Sequence, residues 1–123
     1  MKKIYYNKLV RDKIPEVIKK SGGSAEFKKL SSKEFEKELL LKVGEEATGL
    51  LSAKDKKGLA SELADIWAVI DEIMSFKKIK QSDVKKALDA NFERKGGFKK
   101  RLYLVWSEDT GYRTNERKYS KKK

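Results

Sequence analysis

Neither cysteine nor histidine occurs among the 123 residues of this chain. The first absence excludes a disulfide framework and thiolate metal sites, and the second removes imidazole as a ligand or base. Any catalysis must therefore run on carboxylates, lysines, hydroxyls or a hard metal ion. Long apolar runs are missing too. The longest, IWAVI, is far too short to cross a bilayer, and MKKIYYNKLVRDK contains no stretch of signal-peptide length, so a soluble cytoplasmic protein is expected, with no membrane partner. A more local absence is the most informative. Between Lys57 and Lys77 there is no Lys or Arg, although the interval SELADIWAVIDEIM carries Glu62, Asp65, Asp71 and Glu72. In a chain of net charge +12, carboxylates left without local basic partners point to a cation supplied from outside, a divalent metal.

A chain of this length makes one domain, near the size at which association with a second copy helps to bury a core. Charged residues make up 41% and hydrophobic residues 38%, but the hydrophobic ones concentrate in periodic blocks, so the middle of the chain should fold. A pI near 9.7 suggests polyanionic partners. The basic residues cluster at the ends and in the joints (Lys19-Lys20, Lys28-Lys29, Lys77-Lys78, Lys99 to Arg101) rather than in one helical stripe. That distribution weakens the case for a nucleic acid, and a basic surface of this kind would also attract nucleotides.

Four helices are expected. Asp12 can cap a short one with Pro15 in its first turn, stopped by Gly22-Gly23. Ser31 and Glu34 have capping-box spacing, and Phe35, Leu39, Val43, Ala47, Leu50 and Leu51 recur at helical intervals, which predicts a second helix over 32–53. After the joint KDKKG, the residues Leu59, Leu63, Ile66, Trp67, Ile70, Ile73 and Met74 predict a third over 57–76. Ser82 and Asp83 open a fourth, ending before Gly96-Gly97, for which a helix C-cap outweighs phosphate cradling. RLYLVW at 101–106 reads either as a short strand, with KIYY as its partner, or as an extended tail. The fold class is thus all-α, an antiparallel bundle of about four helices over 1–106, followed by a basic tail over 107–123. The tail reads as frayed and solvated rather than as a nucleic-acid arm.

The short joint makes helices two and three an antiparallel hairpin. With the turn near Asp55, Glu46 stands level with Glu62 and Asp65 on the facing helix. Glu62 and Asp65 are three residues apart and leave their helix about 60° from each other, so they can reach a common point. Glu45 and Glu46 offer oxygens from the other side. Two like charges about 4 Å apart repel by roughly 4 kcal/mol at an effective dielectric near 20, a repulsion that Mg²⁺, or alternatively Mn²⁺, reverses. For Glu45 and Glu46 a plainer account exists in Lys42, placed for i,i+3 and i,i+4 pairs. Glu62 and Asp65 have no such local partner. Asp71 and Glu72 lie elsewhere around the helix and read as ordinary polar residues.

The blocks NKLVRDKIPEVI (7–18), KVGEEATGLL (42–51), SELADIWAVIDEI (61–73) and RKGGFKKRLYL (94–104) resemble, in order, the MazG-like all-α nucleoside triphosphate pyrophosphohydrolases. The nearest branch is the NKLVRDKIPE group related to phosphoribosyl-ATP pyrophosphohydrolase. The resemblance implies Mg²⁺ held by an EExxE motif and an ExxD motif, which Glu45, Glu46, Glu62 and Asp65 match. It implies substrate contacts from Asn91, Arg94 and Lys95, and a homo-oligomer, dimer or tetramer. The implied activity is hydrolysis of a nucleoside triphosphate or related nucleotide between the α and β phosphates, with release of pyrophosphate and Glu46 as ligand and water-orienting group. Position 49 departs from the motif: Gly49 stands where the family has the last glutamate of EExxE. That departure raises a second reading, a degenerate member that binds a nucleotide or partner without turnover. A nucleic-acid-binding module using the basic ends is the third. Asn7, Lys8, Arg11 and Asp12 are a signature of the branch to which spacing assigns no chemistry.

Overall fold

Ser31 sets the start of the central hairpin. Its extended backbone (φ -66°, ψ 164°) lets the side chain accept from the Glu34 N–H, while the Glu34 carboxylate accepts from the Ser31 N–H. This reciprocal capping box opens helix Ser32–Thr48. The computed structural model describes residues 2–112. In chain order the helices are α1, Ile14–Lys20; α2, Ser32–Thr48; α3, Lys56–Lys77; and α4, Gln81–Lys95, with a 3₁₀ turn at Gly49–Ser52 between α2 and α3. The fold is all-α, and the described residues contain no strand. Neither RLYLVW nor KIYY is a strand. None of these helices is long and apolar enough to cross a membrane. The chain divides into two compact units, Met1–Ala87 and Leu88–Lys123, with the boundary inside α4. Of the predicted tail, residues 113–123 lie outside the described residues.

Several element boundaries differ from the sequence reading, those of α3 by one residue at each end. Asp12 does not cap α1. The helix enters through Lys13 in a helical conformation with no side-chain cap, because a turn closed by the Ile14 N–H on the Arg11 carbonyl (3.1 Å) already directs the chain into it. Its end is as expected, a Schellman motif with Gly22 at φ +83° and bonds from Gly22 and Gly23 to the carbonyls of Lys19 and Ile18. α2 stops at Thr48 rather than running on to Ala53, since the chain tightens into the 3₁₀ turn from Gly49. The weak helix propensity of glycine and the Thr48 hydroxyl bonding back to the Glu45 carbonyl (2.7 Å) both act there. α4 begins one residue early, at Gln81. It ends as predicted at a left-handed Gly96 (φ +79°) whose N–H bonds to the Phe92 carbonyl.

α2 and α3 pack antiparallel. Phe35 at the start of α2 meets Phe76 at the end of α3 edge to face, with ring centroids 5.1 Å apart, an arrangement worth about 0.5–1.5 kcal/mol beyond area burial. Lys77 Nζ reaches Glu36 at 2.7 Å beside it, an exposed pair worth a few tenths of a kcal/mol at most. Asp55 caps α3 through the Gly58 N–H (2.7 Å). Lys78 ends α3 in the left-handed region (φ 57°), a position where glycine would avoid a cost of roughly 1 kcal/mol.

The inward face of the hairpin is one stripe on each helix. Phe35, Leu39 and Val43 of α2 face Ile66, Val69, Ile73 and Phe76 of α3, all buried or half-buried. Among the described residues, Leu39 and Val69 are the buried hydrophobic ones. The apolar face read from α3 was too broad. Leu63 (50% exposed) and Trp67 (67%) lie outside the packed seam, because a single facing helix covers only a narrow stripe of α3.

Candidate functional site

Toward the loop end of the hairpin the inward stripes change character. The next inward positions after Val43 and before Ile66 are not apolar: Glu46 on α2, and Glu62 and Asp65 on α3, are all half-buried. One carboxylate oxygen from each lies within 4.8 Å of the others. Glu46 and Asp65, like Phe35 and Phe76, are equally far along the chain from the Asp55–Lys56 bond, and so are Gly49 and Glu62. The register set by the aromatic pair at one end thus carries the carboxylates together at the other.

Two cations reach these groups from inside the chain. Lys42 Nζ lies 3.3 Å from Glu45 Oε2 and 3.5 Å from Glu46 Oε1, and its side chain is only 13% exposed. Arg11 Nη2 donates to Asp65 Oδ1 at 2.9 Å. Asp65 has no local basic partner, as its spacing implies, but it has a distant one: Arg11 comes from 54 positions earlier in the chain, beyond what local spacing can detect. Glu62 takes part in no ion pair among the described residues. Four carboxylates (Glu45, Glu46, Glu62, Asp65) against two cations leave two negative charges, the amount one divalent ion would neutralise.

Gly49 shapes this cluster. A Cβ built at that position would overlap Glu62 Oε2 and stand 2.8 Å from Glu62 Cδ. The carboxylate of Glu62 occupies the space a side chain at position 49 would need. It comes from the facing helix into the gap left where the 3₁₀ turn passes.

The donor set fits a hard divalent ion. Ligand oxygens about 2.1 Å from Mg²⁺ stand about 3.0 Å apart when adjacent and about 4.2 Å apart when opposite, and the three oxygens of this cluster lie within 4.8 Å of one another. Mn²⁺ accepts the same oxygens. Glu46, Glu62 and Asp65 are the three residues brought together. Glu45 is exposed, paired with Lys42, and outside that cluster. Asp71 and Glu72 are exposed on α3, as expected of ordinary polar residues. Asn91, Arg94 and Lys95 sit on the last turns of α4 in the second unit, where Arg94 Nη2 donates to Asn91 Oδ1 at 3.1 Å. Arg11 is the site residue that spacing missed. Its signal was membership of the NKLVRDK block, which sequence could mark but not place.

In comparisons with known proteins the chain matches no family model, no curated protein and no solved structure.

Proposed function

We propose that this chain is a metal-dependent nucleotide pyrophosphohydrolase, cleaving the α–β phosphoanhydride of a nucleoside triphosphate or related nucleotide. The observation that carries the reading is the convergence of Glu46, Glu62 and Asp65 on one point of the hairpin; the order of the sequence blocks supports it. Glu46, Glu62 and Asp65 would hold Mg²⁺ or Mn²⁺, with Glu45 in reserve behind Lys42. The ion supplies neutralisation of phosphate charge. Glu46 accepts a proton from, and orients, the water whose oxygen attacks the α phosphorus, and the bond from that phosphorus to the bridging oxygen breaks to release pyrophosphate. Asn91, Arg94 and Lys95 are proposed substrate contacts through amide and cationic donors.

The test is pyrophosphate release across a panel of standard and modified nucleotides with Mg²⁺ or Mn²⁺. Activity that falls at least about 100-fold in Glu62→Gln, which keeps the shape and removes the charge, supports the reading. No turnover with any nucleotide overturns it. A second reading, binding without turnover, draws on the internal cations: Arg11 and Lys42 already compensate two of the carboxylates. Nucleotide affinity in the absence of any turnover would select it.

The same reading includes a homo-oligomer. Leu40, Leu41, Leu63, Trp67 and Ile70 are apolar and between 40% and 67% exposed, an amount of unburied surface that a helical hairpin commonly covers with a second copy. On α3, Trp67 lines a shallow hollow together with Ala64, Ala68 and Asp71. A two-fold contact would set this face of α3 against its own copy.

A further inference from the structure

Of the two cations paired with the carboxylates of the site, one is spent and one is not. Lys42 is mostly covered and shared between Glu45 and Glu46. Arg11 is 63% exposed and makes a single contact with Asp65 through Nη2. A guanidinium carries five N–H donors in a rigid fork and stays charged at every relevant pH. The other donors of Arg11 have no partner among the described residues. The segment that presents it is shaped locally: Asn7 takes a left-handed conformation (φ 48°), Lys8 Nζ lies over the Tyr6 ring, and the turn closed on the Arg11 carbonyl leads into α1.

We infer that Arg11 is a phosphate-binding residue of this site: anchored on Asp65, it offers its free N–H donors to a phosphoryl oxygen of a pyrophosphate-bearing ligand. The inference rests on the metal-site reading above and extends it to a segment that reading leaves without a role. An excess of carboxylates repels a polyphosphate, so a site that accepts one needs a cation facing outward as well as one held among the acids. Arg11 meets that need, and its planar fork matches two phosphate oxygens at once. The same position has a second consequence. With no phosphate present, the guanidinium partly neutralises Asp65 and opposes an incoming divalent ion, so Arg11 acts in opposite directions on the two ligands.

The experiment titrates full-length wild type, Arg11→Gln and Arg11→Lys with Mn²⁺ alone, then each Mn²⁺-saturated protein with inorganic pyrophosphate, by calorimetry. For Arg11→Gln, Mn²⁺ affinity is expected to rise about threefold or more and pyrophosphate affinity to fall about tenfold or more, with Arg11→Lys between the two. A contact that is only structural would move both affinities the same way. A parallel loss of both in Arg11→Gln, or an unchanged pyrophosphate affinity, overturns the inference while leaving the metal site standing. Wild type that binds no Mn²⁺ at millimolar concentration removes the metal site and this inference together.

Discussion

The carboxylate of Glu62 lies where a side chain at Gly49 would have to be: a Cβ on Gly49 would stand 2.8 Å from Glu62 Cδ and overlap Oε2. Glycine at this position therefore does more than remove a candidate ligand. It admits a ligand from the opposite helix into the space.

Gly49→Ala separates stability from metal binding. The backbone there is right-handed (φ -63°, ψ -24°), so alanine is conformationally acceptable and is favoured over glycine by up to about 1 kcal/mol in a helix. Its methyl group displaces the Glu62 carboxylate. The expected outcome is Mn²⁺ affinity lower by about tenfold, with urea unfolding unchanged or shifted to higher denaturant, measured on one preparation. Gly49→Glu is expected to create no activity, since it adds a like charge in the space Glu62 occupies. A gain of pyrophosphate release by that variant would show that the missing glutamate, rather than the space, matters.

Trp67→Glu tests the second copy. The side chain is 67% exposed within one chain, so the substitution should leave helix content intact. Light scattering across a concentration series should show wild type as an oligomer and the variant as a monomer, with association weakened by at least about 100-fold, as for loss of a central aromatic anchor. Wild type that stays monomeric at high concentration rules the proposed face out.

Glu34 gives a pH dependence with a definite sign. Hydrogen bonds from Ser31, the backbone N–H first and then the side chain, hold its carboxyl below the ordinary value of 4.5, with Lys28 adding to the shift. The folded value is depressed, so the unfolded chain binds the proton more readily. The stabilisation is present above about pH 4.5 and is lost as pH falls through the folded value. Melting temperatures of wild type and Glu34→Gln between pH 7 and pH 3 should show wild type ahead near neutrality and the gap closing in acid. An equal gap at both ends would assign the effect to something other than this ionisation.

Much of the fold was legible because its signals are local. The Ser31–Glu34 capping box, the Gly22-Gly23 stop and the cap at Gly96 each depend on residues within one or two turns, and each formed as the spacing implies. The hairpin register was legible too, since a short joint leaves little freedom in how α3 returns along α2. Less legible was how wide a face the hairpin covers: Leu63 and Trp67 share the helical periodicity of Ile66 and Ile73, and only the number of neighbouring helices decides which of them is packed.

For the candidate site, the sequence by itself determined the chemistry available: no imidazole, no thiolate, and two carboxylates three residues apart on a stretch without a cation. It also placed Glu46 at their height. The tertiary structure decided which groups meet. Arg11 reaches Asp65 across 54 positions, and the absence of a side chain at Gly49 lets Glu62 in. The reason is geometric: helical periodicity ties a residue to neighbours three and four positions away, whereas contact between distant segments depends on how the chain returns through space.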